Sequence, residues 1–506
     1  MRNLALVWVL AGCLLGCGGG GGGVDSVQSW KSGETVVTLI DSGKTMRVSG
    51  WGQMANYGYI GCSEQYFPRP WDSVASTITG LAIEKGVTVI GQLAFSGFTG
   101  LTSVTIPNGV FHIGEDAFNG CTSLTTVTIP RSVVYCGLVH WGFLIGSIAD
   151  VFRSCGGLMS INVNKRNPKF ASVDGVLFDK AKKTLLLYPL GRQGAYTIPN
   201  GVTKINDYAF MDCRGLTSVT LPNSVTSIEG WVFYGCTGLK SITIPNSVAY
   251  IANGAFANSA LKSITIPKGV AHIAIGYDVF AGCDSLTSIN VDDGNPAYAS
   301  IDGVLFDKAK VSLLVYPCGR QGAYTIPKGV TAIGDGAFQD CDNLTSINVD
   351  DGNPAYASID GLLFNKAKDS LLVYPCGRQG AYTIPKGVTA IGDGAFQDCD
   401  NLTSITIPNS VTTIGDKAFE DCDNLTFITI PNSVTTILDG AFFSCDSLQS
   451  ITVKNPIPPE IGNYAFYYIS PNACLYVPKG SIDAYRDAER WKYNFECIKA
   501  IESVPE

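Results

Sequence analysis

Charged side chains and histidines are scarce in this chain of 506 residues. Only 15% of the residues are charged, the formal net charge is −8, and the sequence contains three histidines. This negative net charge argues against binding to nucleic acid or to an anionic membrane through a polybasic patch. The chain also lacks a G-x-S-x-G elbow, an H-E-x-x-H pair and a phosphate-binding loop. We therefore expect no catalytic residue, no metal site and no cofactor.

A phrase of 23 residues recurs along the chain, and one copy reads LTSITIPNSVTTIGDKAFEDCDN over residues 402–424. A period of about 20–29 residues with Leu and Ile at fixed offsets indicates a leucine-rich-repeat solenoid, whose units stack to bury their apolar sides. The same step of the phrase carries a phenylalanine in twelve places: Phe95, Phe118, Phe152, Phe210, Phe233, Phe256, Phe280, Phe338, Phe396, Phe419, Phe442 and Phe466.

Each phrase begins with a pattern that predicts a strand. Apolar and hydroxyl side chains alternate through Ser404, Ile405, Thr406 and Ile407, which is typical of a strand buried on one side. Pro408 ends the strand because proline has no N–H to donate. The remaining apolar residues of the phrase bring the chain back inward. We expect a β-rich, right-handed parallel stack of such coils over residues 77–454.

The N-terminus resembles an export signal. Residues 1–16 combine a short positive start with an apolar run that is too short to span a bilayer. Two lipobox-like strings end at Cys13 and Cys17, and either cysteine could carry the lipid of a bacterial lipoprotein. We favour Cys17, because cleavage before Cys13 leaves an unusually short signal; an ordinary secretory signal is the alternative. Residues 17–26 then form the lipid anchor and a flexible polyglycine tether.

The two ends of the stack need caps, because an open solenoid exposes strand edges and core. Residues 27–76 are predicted to form a strand-rich N-terminal cap in which Trp30, Trp51 and Trp71 cover the first coil. Residues 455–506 are predicted to form the last coil and the C-terminal cap. In that cap we expect a short helix over residues 481–491 and a last strand over residues 495–501.

Three longer modules interrupt the period, near residues 160–217, 288–345 and 346–403. The second and third are almost identical. Each is one standard coil with an added element, and in the second module two apolar runs flank a polar turn within residues 303–317. This pattern predicts an inserted β-hairpin that projects from the solenoid or lies on it.

Nine of the 17 cysteines stand three residues after a repeat phenylalanine: Cys121, Cys155, Cys213, Cys236, Cys283, Cys341, Cys399, Cys422 and Cys445. Cysteine at a core position behaves as a small apolar residue, so we expect a ladder of buried free thiols. Adjacent rungs lie within disulfide range, which leaves occasional pairing open. Aspartate-rich turns such as residues 292–295 could bind Ca²⁺, but their spacing favours simple turn formation.

Outward-facing residues of the strands are candidates for binding. Their hydroxyl groups form either a recognition face for protein or glycan, or simply a solvated strand surface stabilised by cross-strand pairs. Phe427 replaces a hydroxyl residue in this array and is the strongest candidate for a hot spot. The candidate residues of this face are Ser103, Thr105, Ser241, Thr243, Ser404, Thr406, Phe427 and Thr429.

An insert near residues 137–147 is the second candidate. It lengthens the coil between Phe118 and Phe152, and loops grafted onto a regular scaffold often carry function. His140, Trp141 and Phe143 form either an exposed binding site or a plug that buries its own apolar residues.

The repeat unit I-P-x-x-V-x-x-I-G-x-x-A-F-x-x-C-x-x-L and the insert D-G-V-L-F-D-K…L-L-V-Y-P resemble those of the BspA-like leucine-rich-repeat proteins of bacterial surfaces. Residues 45–54 with Trp71, and residues 477–485 with Trp491, share the resemblance. The resemblance implies non-enzymatic adhesion to host or neighbouring cells through a protein ligand. Together with the N-terminal signal it leads us to expect a protein held at the bacterial outer membrane or cell surface, which reaches the membrane only through the N-terminal lipid. A glycan-capture module is the alternative, and an enzyme with an unrecognised carboxylate site is third.

Overall fold

The computed structural model describes residues 28–59, 66–137, 139–140, 143–144, 148–274 and 279–501. In these residues the chain forms a solenoid of about 18 stacked turns, built mostly from parallel strands. The leucine-rich-repeat fold predicted from the period is therefore confirmed. The predicted leader, Cys13, Cys17 and the polyglycine tether lie outside the described residues.

The coils contribute one strand each to a first column, in which side chains alternate between core and solvent. Leu402 and Ile405 are buried in one such strand, whereas Thr406 is exposed and pairs with Thr429 of the next coil. The first-column strands are Gly80–Ile83, Ser103–Thr105, Thr126–Ile129, Ser160–Val163, Gly194–Thr197, Leu216–Thr220, Ser241–Thr243, Ser263–Ile266, Ser288–Val291, Gly322–Ile326, Leu344–Val349, Gly380–Thr383, Leu402–Thr406, Phe427–Ile430, Ser450–Val453, Cys474–Val477 and Cys497–Ala500.

A second column of shorter strands follows the Pro-Asn turn of the coils. In these strands an isoleucine is usually buried, and parallel pairing joins one coil to the next, as between Ile414 and Ile437. The second-column strands are Gly52–Gln53, Val87–Ile90, His112–Ile113, Tyr135–Cys136, Lys204–Ile205, Ser227–Ile228, Tyr250–Ile251, His272–Ile273, Ala332–Ile333, Ala390–Ile391, Thr413–Ile414, Thr436–Ile437 and Glu460–Ile461.

The three modules contain the predicted β-hairpin, and one further strand before it makes a three-stranded antiparallel meander. Its third strand also pairs in parallel with a second-column strand, so Ser312 lies opposite Ala332. The added element is thus built into the stack. The meander strands are Phe170–Val173, Val176–Asp179 and Thr184–Leu187 in the first module, Tyr298–Ile301, Val304–Asp307 and Ser312–Val315 in the second, and Tyr356–Ile359, Leu362–Asn365 and Ser370–Val373 in the third.

The repeat phenylalanines stack ring on ring through the core. The rings of Phe396, Phe419 and Phe442 follow one another at centroid distances of 4.9 and 5.1 Å. At each module a tyrosine takes the place of a phenylalanine, and the buried residues divide there into four clusters. These span residues 37–187, 176–305, 304–363 and 362–495, and we call the last one the C-terminal block.

The N-terminal cap is strand-rich, as predicted. Strands Ser29–Ser32, Thr35–Ile40 and Thr45–Gly50 form an antiparallel meander, and the third pairs in parallel with the first coil. Trp71 is fully buried, with its ring 6.0 Å from that of Trp30. The prediction for Trp51 is wrong, since it is 85% exposed at a bend between two glycines of positive φ. A further strand pair joins Gly58–Tyr59 to Tyr66–Phe67.

The C-terminal cap contains two helices, Ile482–Asp487 and Glu489–Asn494, where one was expected. Extended backbone at Ala488 separates them, with ψ of 114°. Trp491 is buried and donates its indole N–H to the carbonyl of Pro459, which closes the last coil. The predicted final strand is present. The other helical elements are Ile148–Val151 and the 3-10 turns Asp41–Gly43, Asp72–Thr77 and Lys479–Ser481.

Candidate functional site

The hydroxyl residues of the first column face solvent where the sequence placed them. Ser103, Thr105, Ser241, Thr243 and Thr406 are exposed, and Ser404 and Thr429 are half-buried. Parallel pairing in register aligns these hydroxyl residues across coils, so that Ser218 lies opposite Ser241 and Thr220 opposite Thr243. We call this surface the hydroxyl sheet.

Phe427 is the aromatic exception in the hydroxyl sheet. Its side chain is 52% exposed, and it pairs with Ser450 of the next coil. A large apolar ring in a polar, flat surface is the arrangement found at many binding hot spots. The position of Phe427 therefore agrees with the prediction, while its role stays a proposal.

The insert forms a short antiparallel strand pair, Val139–His140 with Phe143–Leu144. Trp141 and the side chains of His140 and Phe143 lie outside the described part of the chain. Both interpretations of the insert, an exposed site and a plug, therefore stay predictions.

The cysteine ladder is buried, but it is not made of free thiols throughout. Cys399 forms a disulfide with Cys376, which belongs to the third module rather than to the ladder, with a Cα–Cα distance of 4.5 Å. The module brings this extra cysteine into the neighbouring coil, which explains the exception to our prediction. A second disulfide joins Cys474 to Cys497 in the cap. The other ten cysteines of the described residues are free thiols, and burial raises the pKa of Cys236 to about 12.

The aspartate-rich turns of the modules serve packing, as their spacing favoured. Asn295 is 1% exposed, and its side-chain amide donates to the carbonyls of Pro267 and Val270 in the preceding coil. Its side-chain oxygen accepts the backbone N–H groups of Ala297 and Tyr298. All of the amide's main hydrogen-bonding groups are thus used in holding the turn.

A third surface was not recognised from the sequence. The repeat phenylalanine is flanked by two bends, and we call the surface that these bends form the turn face. Residues two positions after the phenylalanine have positive φ in all twelve coils, which favours Gly, Asp and Asn. They are Gly97, Gly120, Ser154, Asp212, Gly235, Asn258, Gly282, Asp340, Asp398, Asp421, Ser444 and Tyr468.

Two tyrosines occupy these bends in the last coil. Tyr464 and Tyr468 have φ of 55° and 57°, a conformation that costs an L-residue about 1–2 kcal/mol. Their rings are 66% and 62% exposed. With Phe443 and Tyr467 they form one group, because ring centroids lie 5.5 Å apart between Tyr464 and Tyr467 and 4.4 Å apart between Tyr467 and Tyr468. We call these four residues the tyrosine cluster.

Aspartates fill the turn face beside the tyrosine cluster. They occupy equivalent positions of successive coils and so form columns along the solenoid. Within one column, the carboxylate of Asp416 accepts the backbone N–H of Asp439 in the next coil at 2.9 Å. Asp398 is the most perturbed, since burial and then the neighbouring Asp340, Asp421, Glu420 and Asp400 raise its pKa to about 8. We call the set the acidic columns: Asp393, Asp398, Asp400, Asp416, Asp421, Asp423, Asp439 and Asp446.

Clefts open on the turn face where the modules interrupt the ring stack. One of about 290 Å³ lies beside Phe280 and Tyr316, and one of about 570 Å³ lies beside Phe338 and Tyr374. The two clefts are neighbours along the solenoid, since they share six lining residues. These shared residues are Asp335, Gly336, Ala337, Gln339, Gln397 and Lys417.

The family comparison agrees with this geometry. The model of the BspA type leucine-rich repeat region matches in six copies, over residues 74–139, 193–309, 315–371 and 372–484. The chain belongs to the BspA-type leucine-rich repeat family. Proteins of this family are bacterial surface repeat proteins and are typically non-catalytic. Within the described residues of this BspA-type protein, no helix combines the length and the apolar character needed to cross a membrane.

Solved structures give distant similarities. A leucine-rich cell surface protein from Faecalibacterium prausnitzii is 24% identical, with 95% of this chain and 96% of that chain covered and a TM-score of 0.37. A leucine-rich repeat protein from Bacteroides ovatus is 21% identical, with 95% and 99% covered and a TM-score of 0.29. One from Eubacterium ventriosum is 21% identical, with 82% and 94% covered and a TM-score of 0.36. No curated protein matches the chain significantly.

The tyrosine cluster had a signal in the sequence. When the coils are aligned on the repeat phenylalanine, the other bend positions of the C-terminal block are Gly, Asp, Ser or Lys, and Tyr464 and Tyr468 stand out. The signal is readable only once the bends are known to have positive φ. Periodicity of apolar residues does not reveal that conformation.

Proposed function

We propose that this BspA-type protein is an exported, non-enzymatic surface lipoprotein that binds other proteins and thereby attaches the cell to host or neighbouring cells. The observation that carries the proposal is the hydroxyl sheet, a regular solvent-facing surface with Phe427 exposed within it. A rigid stack that buries its apolar residues holds such a surface in one shape. Little ordering entropy is then lost when a partner binds.

The lipid is proposed to be attached at Cys17, with Cys13 as the alternative, so that the polyglycine segment holds the solenoid away from the membrane. Replacement of Cys17 by Ala should release the protein from the membrane fraction and abolish the mass of the diacylglyceryl group on the N-terminal peptide. Replacement of Cys13 by Ala is the matched control. A lipid that persists after Cys17→Ala would move the anchor to Cys13, and a free N-terminus in the unaltered protein would favour an ordinary secretory signal.

Glycan capture is the alternative function, and exposed aromatic rings are the observation that favours it. The tyrosine cluster lies at the end of one block, whereas glycan capture along the solenoid calls for a platform that continues over several coils. We therefore place protein binding first.

A paired array separates the two functions. The mature chain, residues 17–506, is applied to a printed array of extracellular-matrix and bacterial surface proteins and to a printed glycan array. We expect discrete protein spots that weaken in the Phe427→Ala variant. Binding confined to glycan spots would reject the proposal. A variant lacking residues 137–147 tests the insert, and unchanged binding would remove the insert from consideration.

A further inference from the structure

The acidic columns and the tyrosine cluster belong to one continuous surface of the C-terminal block. Backbone hydrogen bonds hold the bends of successive coils side by side. Asp421 N donates to the carbonyl of Phe443 at 3.0 Å, and Ser444 N donates to the carbonyl of Tyr467 at 2.9 Å. The column that begins with Asp398 and Asp421 therefore ends with Tyr468, and carboxylates and aromatic rings form a single exposed strip.

This strip carries uncompensated negative charge. The described residues of the acidic columns and the bends beside them include one cationic side chain, Lys417. Its ammonium is paired with the carboxylate of Glu420 at 3.0 Å. Glu420 is itself buried and also accepts the side-chain amide of Gln397. The Oδ2 atom of Asp398 is buried and has no hydrogen-bond partner in the described part of the chain. The strip thus holds eight aspartates without a free cation of its own, and Asp398, whose pKa burial raises to about 8, is mostly neutral near pH 7 and adds little to the negative charge.

The aromatic end of the strip is exposed although its backbone conformation is unfavourable. Positive φ at Tyr464 and Tyr468 lowers stability, and the exposed rings bury little area that could compensate for it. Residues that are retained at such positions cluster at ligand-binding sites. Tyrosine rings attract Lys and Arg side chains through cation–π contacts, and nearby carboxylates attract the same side chains.

The clefts extend the strip towards the modules. The cleft beside Tyr374 has a volume of about 570 Å³, and Asp393, Gln397, Asp416 and Lys417 line it together with Tyr356. Two of these residues, Asp393 and Asp416, belong to the acidic columns. A bound partner segment therefore meets a polar recess at one end of the strip, which can take a long side chain, and aromatic rings at the other end.

We propose that this strip docks an extended, Lys/Arg-rich segment of a partner protein, whose cations lie along the acidic columns and stack on the tyrosine cluster. The inference rests on the proposed function of protein binding, and it adds a second surface and the charge of its partner. An anionic glycan would be repelled by the aspartates. In the described residues, no group of three or more acidic, His or Cys side chains is placed to hold a metal ion.

The probe for the strip is a short fluorescent peptide in which Lys and Arg alternate with Gly. Its binding to the mature chain is followed by fluorescence anisotropy at low and at physiological salt. The decisive variant carries Tyr464→Gly and Tyr468→Gly, which removes two rings, leaves every charge unchanged and suits the positive φ of both bends. Phe427→Ala on the hydroxyl sheet is the matched control.

We expect the peptide to bind the unaltered chain and the Phe427→Ala chain equally, and to bind the double glycine variant about tenfold more weakly. Binding should weaken as salt rises, because screening reduces the attraction between exposed charges. A thermal melt of the double variant that is unchanged or higher shows that the loss is not caused by unfolding.

Equal affinity of the double variant and the unaltered chain would overturn the inference, because a diffuse acidic surface would then be sufficient. The inference would also be overturned if a Glu-Gly peptide or a neutral oligosaccharide bound with the affinity of the Lys/Arg peptide. Protein spots that respond to Phe427→Ala, together with absent peptide binding, would reject the strip and leave the proposed function standing. Peptide binding without any protein spot would reject the proposed function and leave the strip standing.

Discussion

The hydroxyl sheet and the turn face belong to the same coils but are built under different constraints. In the hydroxyl sheet, pairing in register fixes the backbone, strand propensity favours Thr, and Ser or Thr recurs in coil after coil. On the turn face, positive φ fixes the backbone at the bend, while the side chain there varies from Gly and Asp to Tyr. The hydroxyl sheet therefore shows the same kind of side chain in most coils, whereas the turn face shows different side chains on the same backbone conformation.

This difference separates residues that build the scaffold from residues that can specify a partner. A Thr at a repeated strand position is explained by the strand itself. Phe427 departs from the hydroxyl residues at the same position of other coils, and Tyr464 and Tyr468 are disfavoured by their local backbone. Recognition is accordingly expected where a side chain departs from what its own position selects.

The largest effect should come from the core that supports both faces. Phe419 is fully buried, with its ring 4.9 Å from that of Phe396 and 5.1 Å from that of Phe442. Its replacement by Ala should lower the free energy of unfolding by about 3–5 kcal/mol in chemical denaturation. Phe427→Ala is the matched control and should change stability by less than about 0.5 kcal/mol. Equal losses in the two variants would contradict the assignment of core and surface.

The next effect concerns a carboxylate of the turn face. The pKa of Asp398 is raised to about 8 in the folded chain and is close to 3.9 in an unfolded one. Its contribution to stability is therefore present below about pH 4 and is lost as the pH rises through about 8. Asp398→Asn should stabilise the protein by about 1–3 kcal/mol at pH 8 and leave it unchanged at pH 4. Thermal melts of the variant and the unaltered chain at pH 4 and pH 8 measure this difference in stability. A larger stabilisation by Asp398→Asn at pH 4 than at pH 8 would contradict the raised pKa of Asp398.

The backbone of the bends should give a smaller effect. Tyr464→Gly and Tyr468→Gly should each stabilise the protein by about 1 kcal/mol, because glycine adopts positive φ without steric cost. Gly440→Ala is the converse change in the same column as Tyr464, at φ of 61°. It should lower stability by a similar amount, since an added Cβ finds space there but not a favourable φ. Destabilisation by the tyrosine substitutions would mean that the rings are held by packing rather than kept for a ligand.

Much of the scaffold could be predicted from the sequence, because apolar periodicity reports directly which side chains point inward. The period located the coils, the modules and both caps, and the strand alternation placed Ser404, Thr406 and Phe427 on the solvent side. The disulfide of Cys376 and the first meander strand of each module were missed, because they depend on which residues become adjacent in the fold. The turn face was missed because positive φ leaves no periodic apolar signal. Trp51 was misplaced for the same kind of reason, a bend between two glycines.

One array experiment compares residues that depart from the repeat pattern with residues that follow it. The mature chain, the Phe427→Ala variant, the Tyr464→Gly/Tyr468→Gly variant and a Thr406→Ala/Thr429→Ala variant are applied to the same printed proteins. We predict that Phe427→Ala and the double glycine variant each lose a distinct set of spots, with the second set made of basic proteins, and that the double threonine variant keeps them all. Loss of the same spots in the double threonine variant, at equal or greater strength, would contradict the account.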